Sequence, residues 1–368
     1  MAPEPPLEGE AERLDQLTTT HGLAAADPAG MAGLITALPD QLRAVPAEVG
    51  AQIAQSGARP GLVIAAGMGG SAIAADCAAA ISAEAGAAAV IPWRNYGLPT
   101  WAGDDAMFVA ISYSGNTEET LSGYAAARER QLRRFAITSG GELAAMCAED
   151  NVPVYSIPEG QPPRTALGWL LMPLLEGLSA AGVLQPALPQ SIDETAEALH
   201  RLADELAPYR PSRSNPAKLL ALRFWQALPV VYGVEPLCHV AAYRWKCQLN
   251  ENAKMLAISG GLPEQNHNEV LAWGRIAEQA PNSFPVWLRT TGPFGDSRMT
   301  QRVEATRRVL GSDVDSVEVR ACSGSSLTQL LWLCLYGDFV SLYCALLGGV
   351  DPTAIGAIDA LKLAMSKA

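Results

Sequence analysis

Short apolar runs alternate along the chain with longer segments of helical periodicity. The run Leu62–Ala66 is followed by a glycine-rich turn and then by an alanine-rich helical segment. The same order of strand, polar turn and helix recurs in MFVAISYSGNTEETLSGYAAARE and in RRFAITSGGELAAMCAED, and VPVYSIP closes the series as a fourth short strand. This order is typical of a parallel α/β unit. It predicts a doubly wound sheet with a binding site at the carboxyl ends of its strands.

The second half of the chain repeats this pattern. Strands are predicted at Leu228–Val234, Phe284–Thr290 and Ser316–Cys322, with helices between them. The apolar stretch LTQLLWLCLYGDFVSLYCALLGG is long enough to span a membrane, but Gly337 and Asp338 lie at its middle. We therefore expect a buried helix of an α/β domain there. The predicted fold class is α/β, with two doubly wound domains whose mostly parallel sheets are flanked by helices.

Helical and proline-rich segments set the predicted domain limits. Residues from about Leu14 to Leu42 have the periodicity of an amphipathic helix, broken near Asp27 to Gly30. A helix between proline-rich linkers separates the two α/β units. The predicted divisions are an N-terminal helical segment at 1–45, a first α/β domain at 46–190, a linker helix at 191–215 and a second α/β domain at 216–368.

Composition and charge narrow the classes of function. The 368 residues carry a formal net charge of −12, so a nucleic-acid or membrane partner, which needs a basic face, is not expected. The seven cysteines form no CxxC pair, and most of them lie in apolar stretches, which predicts reduced thiols. Since the N-terminus also lacks a signal-peptide pattern, we expect a cytoplasmic protein. An anion would be bound by backbone N–H groups and by a few arginine or lysine side chains.

The turn SYSGNT, Ser112–Thr117, has the features of an anion site. It lies between a predicted strand and a helix that opens with Glu118 and Glu119, and it offers three serine and threonine hydroxyls and a glycine. Free N–H groups at a helix N-terminus and the helix dipole both favour a bound anion. The alternative is that the hydroxyls only cap the helix. Because capping needs a single hydroxyl, the three together favour a phosphate site.

A second turn, Gly67–Ser71, follows the first predicted strand. Its sequence GMGGS lacks the spacing of the GxGxxG dinucleotide fingerprint, and no acidic residue ends a next strand about twenty residues further on. A close approach of the backbone to a small ligand therefore fits this turn better than a dinucleotide does.

These turns and three later segments resemble a known family. GMGGS followed by SYSGNTEE resembles the sugar isomerase (SIS) domain. PPRTALGW, QLNENAK and QNHNE resemble the bifunctional phosphoglucose/phosphomannose isomerases, a branch of the phosphoglucose isomerase superfamily, and the similarity extends from about residue 60 to the C-terminus. The resemblance implies two SIS domains, no metal or other cofactor, a hexose 6-phosphate substrate, and a homodimer whose active site is shared across the subunit interface.

The resemblance also implies roles for individual residues. Glu251 would move a proton between C1 and C2 of the sugar, and Arg164 would stabilise the enediolate. His267 would open the sugar ring together with Lys362, for which Lys367 is left as the alternative. The residues expected to bind the substrate and its phosphate are Gly69, Gly70, Ser71, Ser112, Ser114, Thr117 and Thr353.

The chemistry of these side chains suits aldose–ketose isomerisation. The reaction needs a base for the C1/C2 proton, a cation beside the developing oxyanion and an acid–base group for ring opening. Without the resemblance, Glu251 would be assigned to a helix surface, and Arg164 to a surface turn as readily as to a site. His267 has no second histidine or cysteine at ligand spacing, so a zinc site is not expected.

The sequence thus predicts an isomerase, formally an intramolecular oxidoreductase, that interconverts fructose 6-phosphate with glucose 6-phosphate and with mannose 6-phosphate. The main alternative is a non-catalytic SIS-domain sensor of phosphosugars, against which the joint presence of Glu251, His267 and Arg164 argues. A hexosamine synthase would need a glutaminase domain with an N-terminal cysteine, whereas the chain begins MAP. A transcriptional regulator would need a basic segment ahead of the first SIS domain, where the sequence is acidic.

Overall fold

The chain folds into two compact units. The structure is a computed structural model and describes residues 8–43, 47–57, 59–184, 191–234, 237–291, 297–311 and 314–365. The five-strand unit takes its described residues from Ala37–Leu199 and Gly324–Leu330. The four-strand unit takes its described residues from Met1–Thr36, His200–Ser323 and Leu331–Ala368. The domain limits proposed from the sequence, at 45, 190 and 215, stay a prediction.

The sheet of the five-strand unit is wholly parallel. Its strands are β1 Leu62–Ala66, β2 Ala89–Trp93, β3 Met107–Ile111, β4 Arg133–Thr138 and β5 Val154–Ser156. Their order across the sheet is β2-β1-β3-β4-β5, and every neighbouring pair is parallel. All residues of the central strand β3 are buried, as expected for a sheet that is covered by helices on both faces.

The sheet of the four-strand unit is also wholly parallel. Its strands are β6 Leu228–Val234, β7 Ile258–Leu262, β8 Ser283–Arg289 and β9 Val317–Arg320, in the order β7-β6-β8-β9. The predicted fold class, two parallel α/β domains flanked by helices, is therefore confirmed.

Two strands were not predicted from the sequence, and both lie at a sheet edge. β2 contains Pro92, which cannot donate a hydrogen bond to a sheet ladder, and Gly260 and Gly261 form the centre of β7. Proline and glycine are both depleted in strands and tolerated at edges, so these segments carry a weak strand signal.

The described helices occupy both units. They are α1 Glu8–Leu17, α2 Thr20–Ala26, α3 Met31–Thr36, α4 Ala47–Gln55, α5 Gly69–Ala85, α6 Glu118–Glu129, α7 Gly141–Asp150, α8 Leu167–Ala180, α9 Ile192–Glu205, α10 Pro216–Phe224, α11 Leu237–Asn252, α12 Val270–Trp273, α13 Ile276–Gln279, α14 Ser297–Leu310, α15 Ser326–Gly348 and α16 Gly356–Met365. The predicted break near residues 27–30 is present, because the Asp27 carboxylate accepts hydrogen bonds from the backbone N–H groups of Met31 and Ala32 and so begins α3.

Helix α15 is the long apolar segment noted in the sequence. Among the described helices it alone is long and apolar enough to cross a membrane, and 94% of its most apolar stretch is buried inside the protein. It is the core helix that the sequence predicts. The seven cysteines all carry free thiols, and five of them are buried.

Candidate active site

Three turns meet at the carboxyl edge of the five-strand sheet. They follow β1, β3 and β4, which are neighbours in the sheet and run parallel. The first turn is Gly67–Ser71, the second is Ser112–Thr117, and the third is formed by residues 139–140, directly before α7. The carboxyl edge of such a sheet is where parallel α/β proteins bind ligands.

The first and second turns are in direct contact. The backbone N–H of Tyr113 donates a hydrogen bond of 3.2 Å to the hydroxyl of Ser71, whose side chain is buried. A Cβ atom at Gly67 would lie 2.9 Å from the carbonyl oxygen of Ile111, so the two backbones pack without room for a side chain. The structure therefore brings Ser71 and the SYSGNT turn together.

Within the second turn, the hydroxyls bond to each other and do not cap the helix. The Ser112 hydroxyl, fully buried, lies 2.9 Å from the Thr117 hydroxyl. Thr117 occupies the N-cap position of α6, yet its side chain accepts no hydrogen bond from the N–H groups of the helix. Ser114 is exposed, and its hydroxyl accepts a long hydrogen bond from Asn116 N–H. Helix capping thus does not account for Thr117, and the N-terminus of α6 has the geometry of an anion site.

The third turn packs tightly on the second. Gly115 has a φ of +70°, and a Cβ atom there would lie 1.8 Å from the carbonyl oxygen of Gly140, so only glycine fits. The Asn116 side-chain oxygen accepts a hydrogen bond of 3.0 Å from Glu142 N–H at the start of α7. Asn116 therefore fixes the turn to its neighbour, a role that depends on a contact 26 residues away and has no local sequence signal.

Arg164 is held beside the first turn. It lies in a short 3-10 helix, Pro163–Thr165, and is 3% exposed. A Cβ atom at Gly70 would lie 2.7 Å from the carbonyl oxygen of Pro163 and 2.9 Å from the backbone nitrogen of Arg164. Gly69 differs from Gly70, because no neighbouring atom lies within 4 Å of its Cβ position and its φ of +53° is what favours glycine.

Tyr113 ties the second turn to the segment that leads to Arg164. Its phenol donates a hydrogen bond of 2.9 Å to the carbonyl oxygen of Pro158 and accepts one of 3.2 Å from Gln161 N–H. No role for Tyr113 was predicted from the sequence. Its position between two serines of the turn gives no sign that its side chain points toward a loop more than forty residues further on.

A carboxylate lies at the N-terminus of α6, beside the second turn. Glu118 begins α6, and its side chain accepts a hydrogen bond of 3.2 Å from the phenol of Tyr96. That hydrogen bond, together with the nearby charge of Glu119, raises the pKa of the Tyr96 phenol. An acidic side chain in the first turn of a helix competes with a bound anion for the helix dipole, so its contact with Tyr96 bears on the strength of the site.

In the four-strand unit, the side chain of Lys254 links the segment that carries Glu251 to the segment that carries Thr353. Glu251 lies in the last turn of α11 and is partly exposed. The ammonium group of Lys254 donates hydrogen bonds to the carbonyl oxygens of Glu251 at 2.9 Å and of Asp351 at 2.7 Å. Thr353 N–H in turn donates to the Asp351 carboxylate at 2.8 Å. Lys254 has a φ of +55°, so the backbone turns sharply there.

His267 is exposed at the end of a short 3-10 helix that follows β7. The preceding residue, Asn266, anchors it to α14. The Asn266 amide donates a hydrogen bond of 2.8 Å to the Thr306 hydroxyl and accepts one of 3.1 Å from the Arg302 guanidinium. The loop that carries the histidine is therefore fixed to the body of the unit, although the imidazole itself faces solvent.

Glu251 and His267 of one chain lie at opposite edges of the four-strand sheet. Helix α11 connects the parallel strands β6 and β7, so it runs antiparallel to them and ends at their amino edge. His267 follows the carboxyl end of β7, a strand of five residues. With about 3.3 Å per residue, the strand alone separates the two ends by roughly 13 Å. The parallel topology thus assigns the segments that carry these two side chains to different edges of the sheet.

Lys362 lies on α16, in which no described residue is buried. The apolar side chains of this helix are exposed as well, Leu361 by 64% and Leu363 by 58%. Lys367 lies outside the described residues. Among the residues that the structure describes, no group of three or more His, Cys, Asp or Glu side chains could hold a metal ion.

Comparison with known proteins identifies the family. A family model described as bacterial phospho-glucose isomerase C-terminal SIS domain matches residues 213–365. The chain is 35% identical to a bifunctional phosphoglucose/phosphomannose isomerase of Caldicellulosiruptor bescii over 306 residues, which cover 82% of this chain and 88% of that protein. It is 34% identical to a protein of the same name from Thermoplasma volcanium over 300 residues, with coverage of 82% and 90%.

A solved structure has the same fold. The crystal structure of a glucose-6-phosphate isomerase like protein from Thermus thermophilus matches with a TM-score of 0.62 at 21% identity, covering 95% of this chain and 98% of that chain. The fold of the present chain and the turns at the carboxyl edge of its five-strand sheet define a SIS-domain protein. More specifically, the chain belongs to the bifunctional phosphoglucose/phosphomannose isomerase family.

Replacing Gly70 by alanine tests the contact between the first turn and Arg164. A Cβ at 2.7 Å from a backbone oxygen forces Pro163 and Arg164 to move, so we expect the dissociation constant for fructose 6-phosphate to rise at least tenfold. Isothermal titration calorimetry measures it. Gly33→Ala is the control, because no atom lies within 4 Å of a Cβ at this exposed helical position, which has no proposed role in binding. Equal affinities of Gly70→Ala and the unchanged protein would contradict this account.

Proposed function

We propose that the chain is a hexose 6-phosphate isomerase that interconverts fructose 6-phosphate with glucose 6-phosphate and with mannose 6-phosphate. The observation that carries the proposal is the contact of Gly70 with the backbone of Pro163 and Arg164. It sets a buried arginine beside two turns that form an anion site, which is what a phosphosugar enzyme needs for its substrate. The names of the relatives in the family support the same substrate class.

The phosphate is bound at the carboxyl edge of the five-strand sheet. Backbone N–H groups of the two turns and of the start of α6 donate to its oxygens, as helix N-termini do in other phosphate sites. The residues proposed to bind the substrate and its phosphate are Gly69, Gly70, Ser71, Ser112, Ser114, Thr117 and Thr353. This anchoring leaves C1 and C2 of the open-chain sugar for the catalytic groups.

The reaction moves one proton between neighbouring carbons. Glu251 removes the proton from C2 of the aldose, negative charge develops on the C1 oxygen, and a cis-enediol forms. Glu251 then returns the proton to C1, and the hydroxyl proton moves from O2 to O1, so the ketose is an isomer of the aldose. The change is an intramolecular oxidation at C2 and reduction at C1. Arg164 stabilises the enediolate, because its charge is permanent.

Ring opening and the choice of C2 epimer complete the cycle. His267 and Lys362 exchange protons with the ring oxygen and the C1 hydroxyl. Thr353 lines the C2 side of the sugar. Return of the proton to the opposite face of C2 of the same enediol gives mannose 6-phosphate, which makes one site sufficient for both aldoses.

A homodimer with shared active sites is part of the proposal. The shared site is supported by the positions of Glu251 and His267, which belong to opposite edges of the sheet within one chain. A second chain would then supply the histidine. The exposed apolar side chains of α16 are further support, since they are suited to burial against another subunit. We also propose that the enzyme acts in the cytoplasm, in carbohydrate metabolism.

Replacement of Glu251 by glutamine tests catalysis. Removing a general base costs a factor of about 100 to 10,000 in rate, so kcat should fall in that range in a coupled assay with fructose 6-phosphate. In D2O, the unchanged protein should exchange deuterium into C2 of glucose 6-phosphate, and the variant should not. Glu278→Gln, which makes the same change at an exposed position, is the control.

The same assay separates the enzyme from a sensor. If the unchanged protein binds fructose 6-phosphate with micromolar affinity but turns over no faster than Glu251→Gln, the isomerase proposal is wrong. The phosphosugar sensor then becomes the better description.

Complementation between two inactive variants tests the shared site. Glu251→Gln and His267→Asn, co-expressed with different affinity tags and purified through both, give dimers that carry each variant once. If the histidine is supplied by the second chain, one of the two sites has both groups intact, and about half of the unchanged activity should return. If both groups act from the same chain, the heterodimer stays inactive, which would exclude sharing.

A chelator tests whether the reaction is metal-independent, as we propose. After dialysis against EDTA, kcat with fructose 6-phosphate should stay within experimental error of its starting value. A loss of activity that zinc or another divalent ion restores would show that a metal takes part.

A further inference from the structure

A buried carboxylate lies at the centre of α15, the long apolar helix of residues 326–348. Asp338 is 3% exposed, and Ser341, one turn further along, is fully buried. Burying a charge without partners costs far more than a helix contact contributes. The partners of Asp338 therefore decide how α15 packs in the four-strand unit.

The described side chains that bond to the Asp338 carboxylate come from α11, the helix that carries Glu251. The Arg244 guanidinium donates two hydrogen bonds to this carboxylate, from Nε at 3.1 Å and from Nη2 at 2.7 Å. The Gln248 amide donates a third, at 2.8 Å, to Oδ1. Both donors are themselves buried.

A further hydrogen bond between α11 and α15 lies closer to Glu251. The Asn252 amide donates a hydrogen bond of 2.9 Å to the Ser341 hydroxyl, which donates at 2.7 Å to the Asp338 carbonyl oxygen. Arg244, Gln248 and Asn252 are spaced four residues apart, so they lie along one face of α11. Glu251 is the neighbour of the last of them.

These contacts fix the rotation of α11 in a way that apolar packing does not. A carboxylate at the end of a side chain lies about 5–6 Å from the helix axis, so a rotation of about 20° moves it by roughly 2 Å. Catalytic groups must be held within about 0.5 Å of the productive position. A bidentate arginine–carboxylate pair has a narrow range of geometry, which makes it suited to holding that position.

We propose that Asp338 is a positioning residue that, through Arg244 and Gln248, fixes the direction of the Glu251 carboxylate. The inference rests on the proposed function, because it assigns Glu251 as the base. Net stabilisation is the competing explanation for the network, and it is the weaker one. Burial raises the pKa of Asp338 against the opposing effect of Arg244, and a buried ion pair replaced by apolar residues of similar size often leaves stability unchanged.

The experiment removes the whole network while keeping its volume. The triple variant Arg244→Met, Gln248→Met, Asp338→Leu leaves no charge of this network buried and unpaired, so its melting temperature should stay close to that of the unchanged protein. We expect kcat with fructose 6-phosphate to fall at least tenfold. KM should change less than threefold, because the proposed phosphate ligands lie on the five-strand sheet and not on α11.

A primary isotope effect distinguishes misplacement of the base from a general loss of active protein. With glucose 6-phosphate deuterated at C2, the isotope effect on kcat should be larger in the triple variant, since a misplaced base makes proton transfer rate-limiting. A smaller fraction of folded protein would lower kcat and leave the isotope effect unchanged.

An ion pair of the same unit, between a buried lysine and a partly exposed aspartate, provides the control. The Lys218 ammonium, which is 1% exposed, contacts the Asp15 carboxylate at 3.1 Å, and neither residue belongs to the network between α11 and α15 described above. The double variant Asp15→Leu, Lys218→Met should keep kcat within twofold. If it loses as much activity as the triple variant at equal melting temperature, buried charge in general and not Asp338 controls the rate, and the proposal is overturned.

The remaining outcomes separate this proposal from the proposed function. A triple variant with kcat within twofold of an active unchanged protein would overturn the positioning role alone. If the unchanged protein itself does not isomerise hexose 6-phosphates, both proposals fall. Should the triple variant not fold, Asp338→Asn replaces it, because it keeps the shape and the acceptor for Gln248, and it should lower kcat several-fold with an unchanged KM.

Discussion

The close approach of the chain at residue 70 is the constraint on which the five-strand site depends. A single methyl group there would collide with the backbone of Pro163 and Arg164. Because Gly70 has no side chain, the first turn, the second turn and the segment that carries Arg164 can meet at one edge of the sheet. Ser71 and Tyr113 then hold the two turns together, and the Tyr113 phenol holds the loop before Arg164. Backbone packing, more than any charged pair, brings these turns and the arginine segment together.

The sequence predicted most of the scaffold and only part of what supports the site. Strands such as β1 and β3 are found from their uninterrupted apolar runs, whereas β2 and β7 are hidden by Pro92 and by adjacent glycines at the sheet edges. The turns were located because hydroxyls and glycines cluster locally. The contacts of Asn116 and Lys254 join segments far apart in sequence, and no local pattern reports them.

Two of the residues proposed for catalysis, Glu251 and His267, belong to opposite edges of the four-strand sheet. Since α11 returns to the amino edge before β7 begins, the parallel topology itself separates Glu251 from His267. If Glu251 and a histidine act on one substrate, the fold of a single four-strand sheet is not enough to bring them together. The family is established by the comparisons, while the roles of Glu251, His267, Arg164 and Lys362 stay predictions, because residue types and motifs indicate chemistry without fixing distances.

Asp338 also affects what the chain can do before it has folded. Helix α15 is as long and apolar as a membrane-spanning segment, and as it leaves the ribosome it has not yet packed against α11. An aspartate at the middle of such a helix opposes insertion into a bilayer by about 2.5–3.5 kcal/mol on the scale measured for the translocation machinery. The carboxylate that pairs with Arg244 in the folded unit therefore also makes membrane insertion of the nascent helix less favourable.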